Sequence, residues 1–169
     1  MEKIKWGIIG PGNIANNFAD GLKGSYSGQL VSIASKSEDR RKNFGDKYDI
    51  HPDFRFDSYE DIINSEHIDA IYVSTPHTLH AQWTIKAAGK GKHILCEKPG
   101  AINFNEGKKI IDSVREAGVF YMEGFMYRCH PQIPKLVDII KNKIVGDVIS
   151  IETSFGFDMG KTISDHRLF

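Results

Sequence analysis

Short apolar runs that alternate with helical patterns of about ten residues constrain this chain more than any other feature. Ile4, Trp6, Gly7, Ile8 and Ile9 form an apolar run ending in Gly10-Pro11-Gly12, and Ile14, Phe18 and Leu22, with Ala15 beside them, follow at a helical period. The first reads as a buried parallel strand and a tight turn, the second as a helix frayed at Gly21 and Gly24. The grammar then repeats. Leu30 to Ala34 predicts a strand, Phe44 and Tyr48 mark one face of a helix, and Phe54 to Phe56 is a short extended piece. Tyr59, Ile62 and Ile63 belong to a helix, Ala70 to Ser74 to a strand stopped by Pro76, and Leu79, Trp83 and Ala87 to a further helix. His93 to Cys96 and Val119 to Met122 complete the strands. Between them Asn103 and Glu106 cap a helix with Ile110, Val114 and Ala117 inside and Gly118 at its end. Strands alternating with helices require right-handed crossovers, so residues 1–124 are predicted to form an α/β domain with a doubly wound parallel sheet.

Composition removes several classes. The 169 residues hold one full domain at ~150 residues each, with a remainder. Lysine plus arginine number 22, as do aspartate plus glutamate, so no net field draws the chain to nucleic acid or to an anionic membrane. Cys96 and Cys129 are too few for a disulfide framework or a metal motif, which points to the reducing cytoplasm. The apolar stretch at the start breaks at Gly10, too early for a signal peptide, and no run approaches the ~18 residues of a membrane span.

After the last strand the pattern changes. A helix from Gln132 to Lys141 precedes a stretch in which Ile149, Ile151, Thr153, Phe155 and Phe157 alternate with Val148, Ser150, Glu152, Ser154 and Gly156. That period predicts a strand over residues 147–157, but one without partners, so residues 125–169 read as the beginning of a second domain.

Three motifs stand at strand ends. Gly10-x-Gly12-x-x-Ala15 lies where a strand becomes a helix: Gly10 allows the turn, Gly12 lets backbone approach a pyrophosphate, Ala15 keeps the helix close, and Asn13 and Ile14 carry the first helical N–H groups. Without a ligand the same pattern is a plain helix-capping turn. Dinucleotide folds often place an acid at the end of the second strand, but here Ser35-Lys36 occupies that place, with Arg40 beyond. A hydroxyl and cations suit a 2′-phosphate, which favours NADP with NAD as the alternative, unless Lys36 and Arg40 are a solvated helix start and Glu38 turns to the ribose. Glu97-Lys98-Pro99 follows the fifth strand, where a lysine could exchange a proton with a substrate oxygen; an isolated Glu-Lys-Pro would be a surface turn.

In this order the motifs carry a resemblance. Gly10-x-Gly12-x-x-Ala15, Ser74-Thr75-Pro76-His77 with His80, Glu97-Lys98-Pro99, and Glu123-Gly124-Phe125-Met126-Tyr127-Arg128 with His130-Pro131 together resemble the glucose-fructose oxidoreductase and inositol dehydrogenase (Gfo/Idh/MocA) family. Met126-Tyr127-Arg128 is similar to the branch holding dihydrodiol and D-xylose dehydrogenases. The resemblance implies an NAD(P)-binding Rossmann domain, then a C-terminal α/β domain that caps the nicotinamide and builds a homo-oligomer. By position, Gly10, Gly12 and Ala15 match the pyrophosphate turn, Ser35 and Lys36 the adenosine ribose site, and Ser74, Thr75, Pro76, His77 and His80 the groove wall. Glu97 and Lys98 match the catalytic edge, and Tyr127 and Arg128 the floor beneath the nicotinamide, although Tyr127 also suits core packing. Lys98 is then the catalytic residue, in hydride transfer between nicotinamide and a sugar, polyol or diol carbinol carbon.

Family members continue through a glycine-rich stretch to a helix bearing an aspartate and, four residues on, a histidine or tyrosine. Ser164-Asp165-His166-Arg167-Leu168-Phe169 looks like the approach to that stretch, so the chain is expected to be truncated, with Asp165 and His166 outside the catalytic set. A non-catalytic dinucleotide-binding module or an inactive fragment is the alternative expectation.

Overall fold

A computed structural model describes residues 2–156. The chain falls into two compact units with the boundary between Phe125 and Met126. In the first, β1 (Ile4–Ile9), α1 (Asn13–Lys23), β2 (Gly28–Ala34), α2 (Glu38–Lys47), β3 (Arg55–Phe56), α3 (Tyr59–Asn64), β4 (Ala70–Val73), α4 (His80–Ala88), β5 (His93–Cys96), α5 (Phe104–Ala117) and β6 (Tyr121–Glu123) follow in order. All six strands are parallel, in the order β3-β2-β1-β4-β5-β6.

This doubly wound sheet is the predicted fold, and the strands are buried because helices cover both faces. Ile62, Ile63, Ile71, Trp83, Ala87, Ile94, Ile110 and Val114 pack together on one side, and Ile8, Ala15, Ala19, Ile33, Phe44, Tyr48 and Tyr72 on the other. α1 meets the sheet through Ala15 and Ala19, while Phe18 and Leu22 are half-buried and Ile14 is exposed, because two small residues let the helix axis approach. Ala117 of α5 is also exposed, unlike Ile110 and Val114 on the expected inner face.

Helix ends follow local chemistry. Ser37, Ser58 and Asn103 cap α2, α3 and α5 with their side chains. Glu106, expected to close a capping box, instead accepts the amide of Ile102 at 3.3 Å, one residue ahead of the cap. Gly118 ends α5 at φ 65°, a left-handed conformation that glycine adopts without strain.

Register places the strand ends level. Ile9 pairs with Ala34 and Val73, Val73 with Cys96, and Cys96 with Glu123, so the segments leaving β1, β2, β4, β5 and β6 emerge along one edge.

The second unit holds a 3-10 turn, Met126–Cys129, and α6 (Gln132–Lys141). The strand expected over residues 147–157 does not form in the described part: residues 148–156 take no regular structure, and Phe157 lies outside the described residues, as does the Ser164–Phe169 segment. Alternation alone does not make a strand, because each backbone donor and acceptor on its edges needs a neighbour. Ile149 is 98% exposed and Ile151 70%. Each such side chain forgoes ~1.5–3 kcal/mol of burial, and an apolar segment of this kind offers itself to another chain. Light scattering should therefore show the 169-residue chain above monomer mass and a chain cut after Lys141 closer to monomer. A clean monomer for the longer chain would count against this reading.

Candidate functional site

In the first unit, the edge where the strands end carries most of the residues singled out by sequence, and the point where the chain turns to either side of the paired strands β1 and β4 organises it. Gly10 follows β1 at φ 88°, and a side-chain carbon there would come within 3.0 Å of the Ser74 carbonyl oxygen. Ser74 Oγ donates back to the Gly10 carbonyl at 2.8 Å, so the two loops are tied to each other. Gly12 is the N-cap of α1 and supplies no side-chain cap, and the first turn contains no acidic residue. The N–H groups at the start of α1, around Asn13 and Ile14, are thus open to an anion, with the helix dipole in support. Nothing lies within 4 Å of where a Gly12 side-chain carbon would stand. Thr75 follows Ser74, is 6% exposed, and its Oγ1 has no hydrogen-bond partner among the described residues. A buried hydroxyl without a partner beside an uncapped helix and a bare glycine fits a polar, anionic ligand such as a dinucleotide.

At the end of β2, buried Ser35 receives the amide of Ser37 on its hydroxyl, and Arg41 Nη1 donates to its carbonyl at 2.7 Å. Lys36, Arg40 and Glu38 are exposed around this turn, and the Arg40 side chain lies near enough to Tyr59 to act on its phenol electrostatically. Sequence reasoning singled out Arg40 and missed Arg41, the cation anchored to Ser35.

Pro76 and His77 are exposed on the loop leaving β4. His80, expected in the groove wall, is fully buried instead, with Nδ1 2.7 Å from the Pro99 carbonyl oxygen and Nε2 2.7 Å from that of Thr75. Its place at the first turn of α4 turns the ring into the space behind both loops, where the imidazole joins them rather than facing a ligand.

After β5, the Tyr72 hydroxyl donates to Glu97 Oε1 at 2.6 Å, and burial with the neighbouring Glu97 carboxylate pushes that phenol well above the usual tyrosine range. Lys98 is exposed, and no described group bonds its Nζ. Glu123, at the end of β6, accepts the Gly100 amide at 2.7 Å. Tyr72 was not among the sequence candidates, and Glu123, part of the motif that opens the last segment, was given no role of its own. A tyrosine inside the apolar run Ala70–Val73 was itself a signal, since a buried phenol must find a partner. Tyr127 and Arg128 belong to the second unit, exposed on its 3-10 turn. No cluster of three or more metal-ligating side chains occurs among the described residues.

Comparison with known proteins agrees with this geometry. Residues 4–125 match the Gfo/Idh/MocA oxidoreductase family with its NAD-binding Rossmann fold. The chain belongs to this family. Among curated proteins, trans-1,2-dihydrobenzene-1,2-diol dehydrogenase of Xenopus tropicalis is 34% identical over 159 residues, 93% of this chain and 48% of that protein. D-xylose 1-dehydrogenase (NADP(+)) 2 of Haloferax volcanii is 31% identical over 165 residues, 98% of this chain and 50% of its own length. Among solved structures, KijD10, a 3-ketoreductase from Actinomadura kijaniata in complex with NADP, superposes with a TM-score of 0.76 at 31% identity, covering 86% of this chain and 46% of that one. The chain spans about half the length of the curated relatives it matches. No described helix is long and apolar enough to cross a membrane.

The two glycines predict different outcomes. Gly10→Ala should cost at least ~1 kcal/mol of stability, because it places a side chain at positive φ against backbone. Gly12→Ala should cost less than ~1 kcal/mol yet weaken dinucleotide binding, because it fills the open approach to α1. Thermal melts beside calorimetric titration with NADP separate the two effects, and equal NADP affinity in Gly12→Ala would remove this turn from the site.

Proposed function

We propose that this chain is the cofactor half of an NADP-dependent oxidoreductase acting on a sugar, polyol or diol, with NAD as the weaker cofactor. The observation that carries the reading is the level row of strand ends, which gathers an uncapped helix, a partnerless buried hydroxyl and an unpaired lysine along one edge. Gly10, Gly12, Asn13, Ile14 and Ala15 hold the pyrophosphate, and Ser35, Lys36 and Arg40 hold the 2′-phosphorylated ribose. Ser74, Thr75, Pro76 and His77 form the wall, with His80 supporting it from behind, and Glu97 meets the nicotinamide end. When bound, the cofactor supplies a hydride carrier at C4 of its nicotinamide. Lys98, exposed and without a partner among the described residues, holds and moves the proton at the substrate oxygen. The activities for which these relatives are named, on a diol and on D-xylose, support the substrate class. We place the protein in the cytoplasm, where two free thiols are at home, Cys129 exposed and Cys96 pushed up to about 12 by burial. We expect the whole protein to assemble as a homo-oligomer.

A second reading, a dinucleotide-binding module without catalysis, draws on the described cofactor residues lying mostly in the first unit. In the whole protein, Lys98→Ala should lower turnover of a sugar or diol by ~10²–10⁴-fold while NADP affinity changes far less. Equal turnover would remove Lys98 from the mechanism, and NADP binding without turnover on any panel substrate would favour the second reading.

The cofactor preference has its own test. Lys36→Asp replaces an exposed cation with a ribose acceptor and a repulsive charge, and should move the NADP-to-NAD affinity ratio toward NAD by roughly tenfold to a hundredfold. An unchanged ratio by titration would show that Lys36 is only a surface residue.

A further inference from the structure

Glu97 and Lys98 are neighbours in sequence with opposite charges, yet no salt bridge joins them, and no described carboxylate lies within 4.0 Å of the Lys98 amine. The reason lies on β4. Tyr72, 2% exposed, extends its hydroxyl to Glu97 Oε1 at 2.6 Å, while Glu97 Oε2 faces the Lys98 backbone amide at 3.4 Å. Glu97 Oε1 also lies 3.3 Å from where a side-chain carbon on Gly124 would stand, so a larger residue there would crowd the carboxylate. The Tyr72 ring is itself fixed: it stacks on Phe18 of α1 with centroids 4.1 Å apart, and Phe18 meets Trp6 edge-on at 5.2 Å. A rigid aromatic column thus ends in a hydroxyl aimed at the acid beside the exposed lysine.

We propose that Tyr72 is a positioning residue that holds the Glu97 carboxylate toward the α1 side of the sheet and so keeps it from pairing with the Lys98 ammonium. The inference rests on the assignment of Glu97 and Lys98 to the nicotinamide end of the site. Tyr72 touches no substrate; it acts through Glu97. An ammonium paired with its neighbouring carboxylate would have to break that pair before serving a substrate oxygen, and the hydrogen bond from Tyr72 removes the competition. The same bond fixes one acceptor at the edge of the groove, so the nicotinamide end of a dinucleotide depends on it and the adenosine end does not.

Three measurements on the 169-residue chain test this. By proton NMR, the Tyr72 hydroxyl should appear as a slowly exchanging downfield resonance coupled through space to its own ring, absent in Tyr72→Phe and moved upfield in Glu97→Gln. Competitive acetylation read by mass spectrometry should show Lys98 reacting more slowly in Tyr72→Phe, where the freed carboxylate reaches it, with Lys36 as the unchanged reference. Calorimetry should show Tyr72→Phe weakening NADP by about tenfold while leaving adenosine 2′,5′-bisphosphate, which lacks the nicotinamide, unaffected. The ring and its stack survive in phenylalanine, so loss of both ligands together would mark general damage and overturn the proposal. A missing hydroxyl resonance in the unsubstituted chain, or an unchanged Lys98 rate, would overturn it as well. If the unsubstituted chain binds neither ligand, the functional assignment fails, while the resonance and the acetylation rate still decide what Tyr72 does.

Discussion

The pairing of β1 with β4 is the constraint on which the rest of the structure depends. Chain order runs β1, β2, β3 to one side and then returns to lay β4 against the other edge of β1. The connections that leave β1 and β4 therefore part in opposite directions, and a crevice opens between them at the carboxyl edge. For the crevice to have a floor, the two loops must touch, and they do so only because Gly10 has no side chain to set against the Ser74 carbonyl. The serine hydroxyl then fastens the contact. Parallel pairing outward through β5 and β6 brings Cys96 and Glu123 level, with Glu97 one residue beyond, without further devices.

Much of this was legible in the sequence because it follows from periodicity. β1 was read from Ile8 and Ile9, α5 from Asn103 and Gly118, and the β-α alternation implied the parallel sheet. The glycine turn was legible because its residue types have a steric meaning that holds wherever they occur. The strand proposed for residues 147–157 failed for the converse reason: period two describes how side chains would sort if a sheet were present, not whether one is. α1 shows a subtler version, since Ile14 keeps the helical period yet stays exposed while Ala19 is buried.

The site was legible where a residue works through its own backbone position and illegible where it works through a long side chain. Gly10, Gly12, Ser35 and Lys98 sit where their order in the chain placed them. Tyr72 and Arg41 act across elements, the phenol reaching from β4 to the segment after β5 and the guanidinium folding back six residues to Ser35. His80, expected in the groove wall, lies buried between the Thr75 and Pro99 carbonyl oxygens, a placement its spacing did not reveal. Sequence reports that such a residue is polar and buried by pattern, but its partner depends on packing distances that no spacing rule encodes.

α1 has a consequence of a different kind. α2, α3 and α5 complete their own first turns with a serine or an asparagine, so their stability is internal to the polypeptide. α1 begins on a glycine and leaves that turn for something else to finish. A guest that supplies the missing acceptors is at once a ligand and a structural part of the helix, and every molecule bound shifts the folding equilibrium of the sheet it packs on. In a cell, the supply of that guest would then govern how long the chain persists against proteolysis, as well as what chemistry it performs.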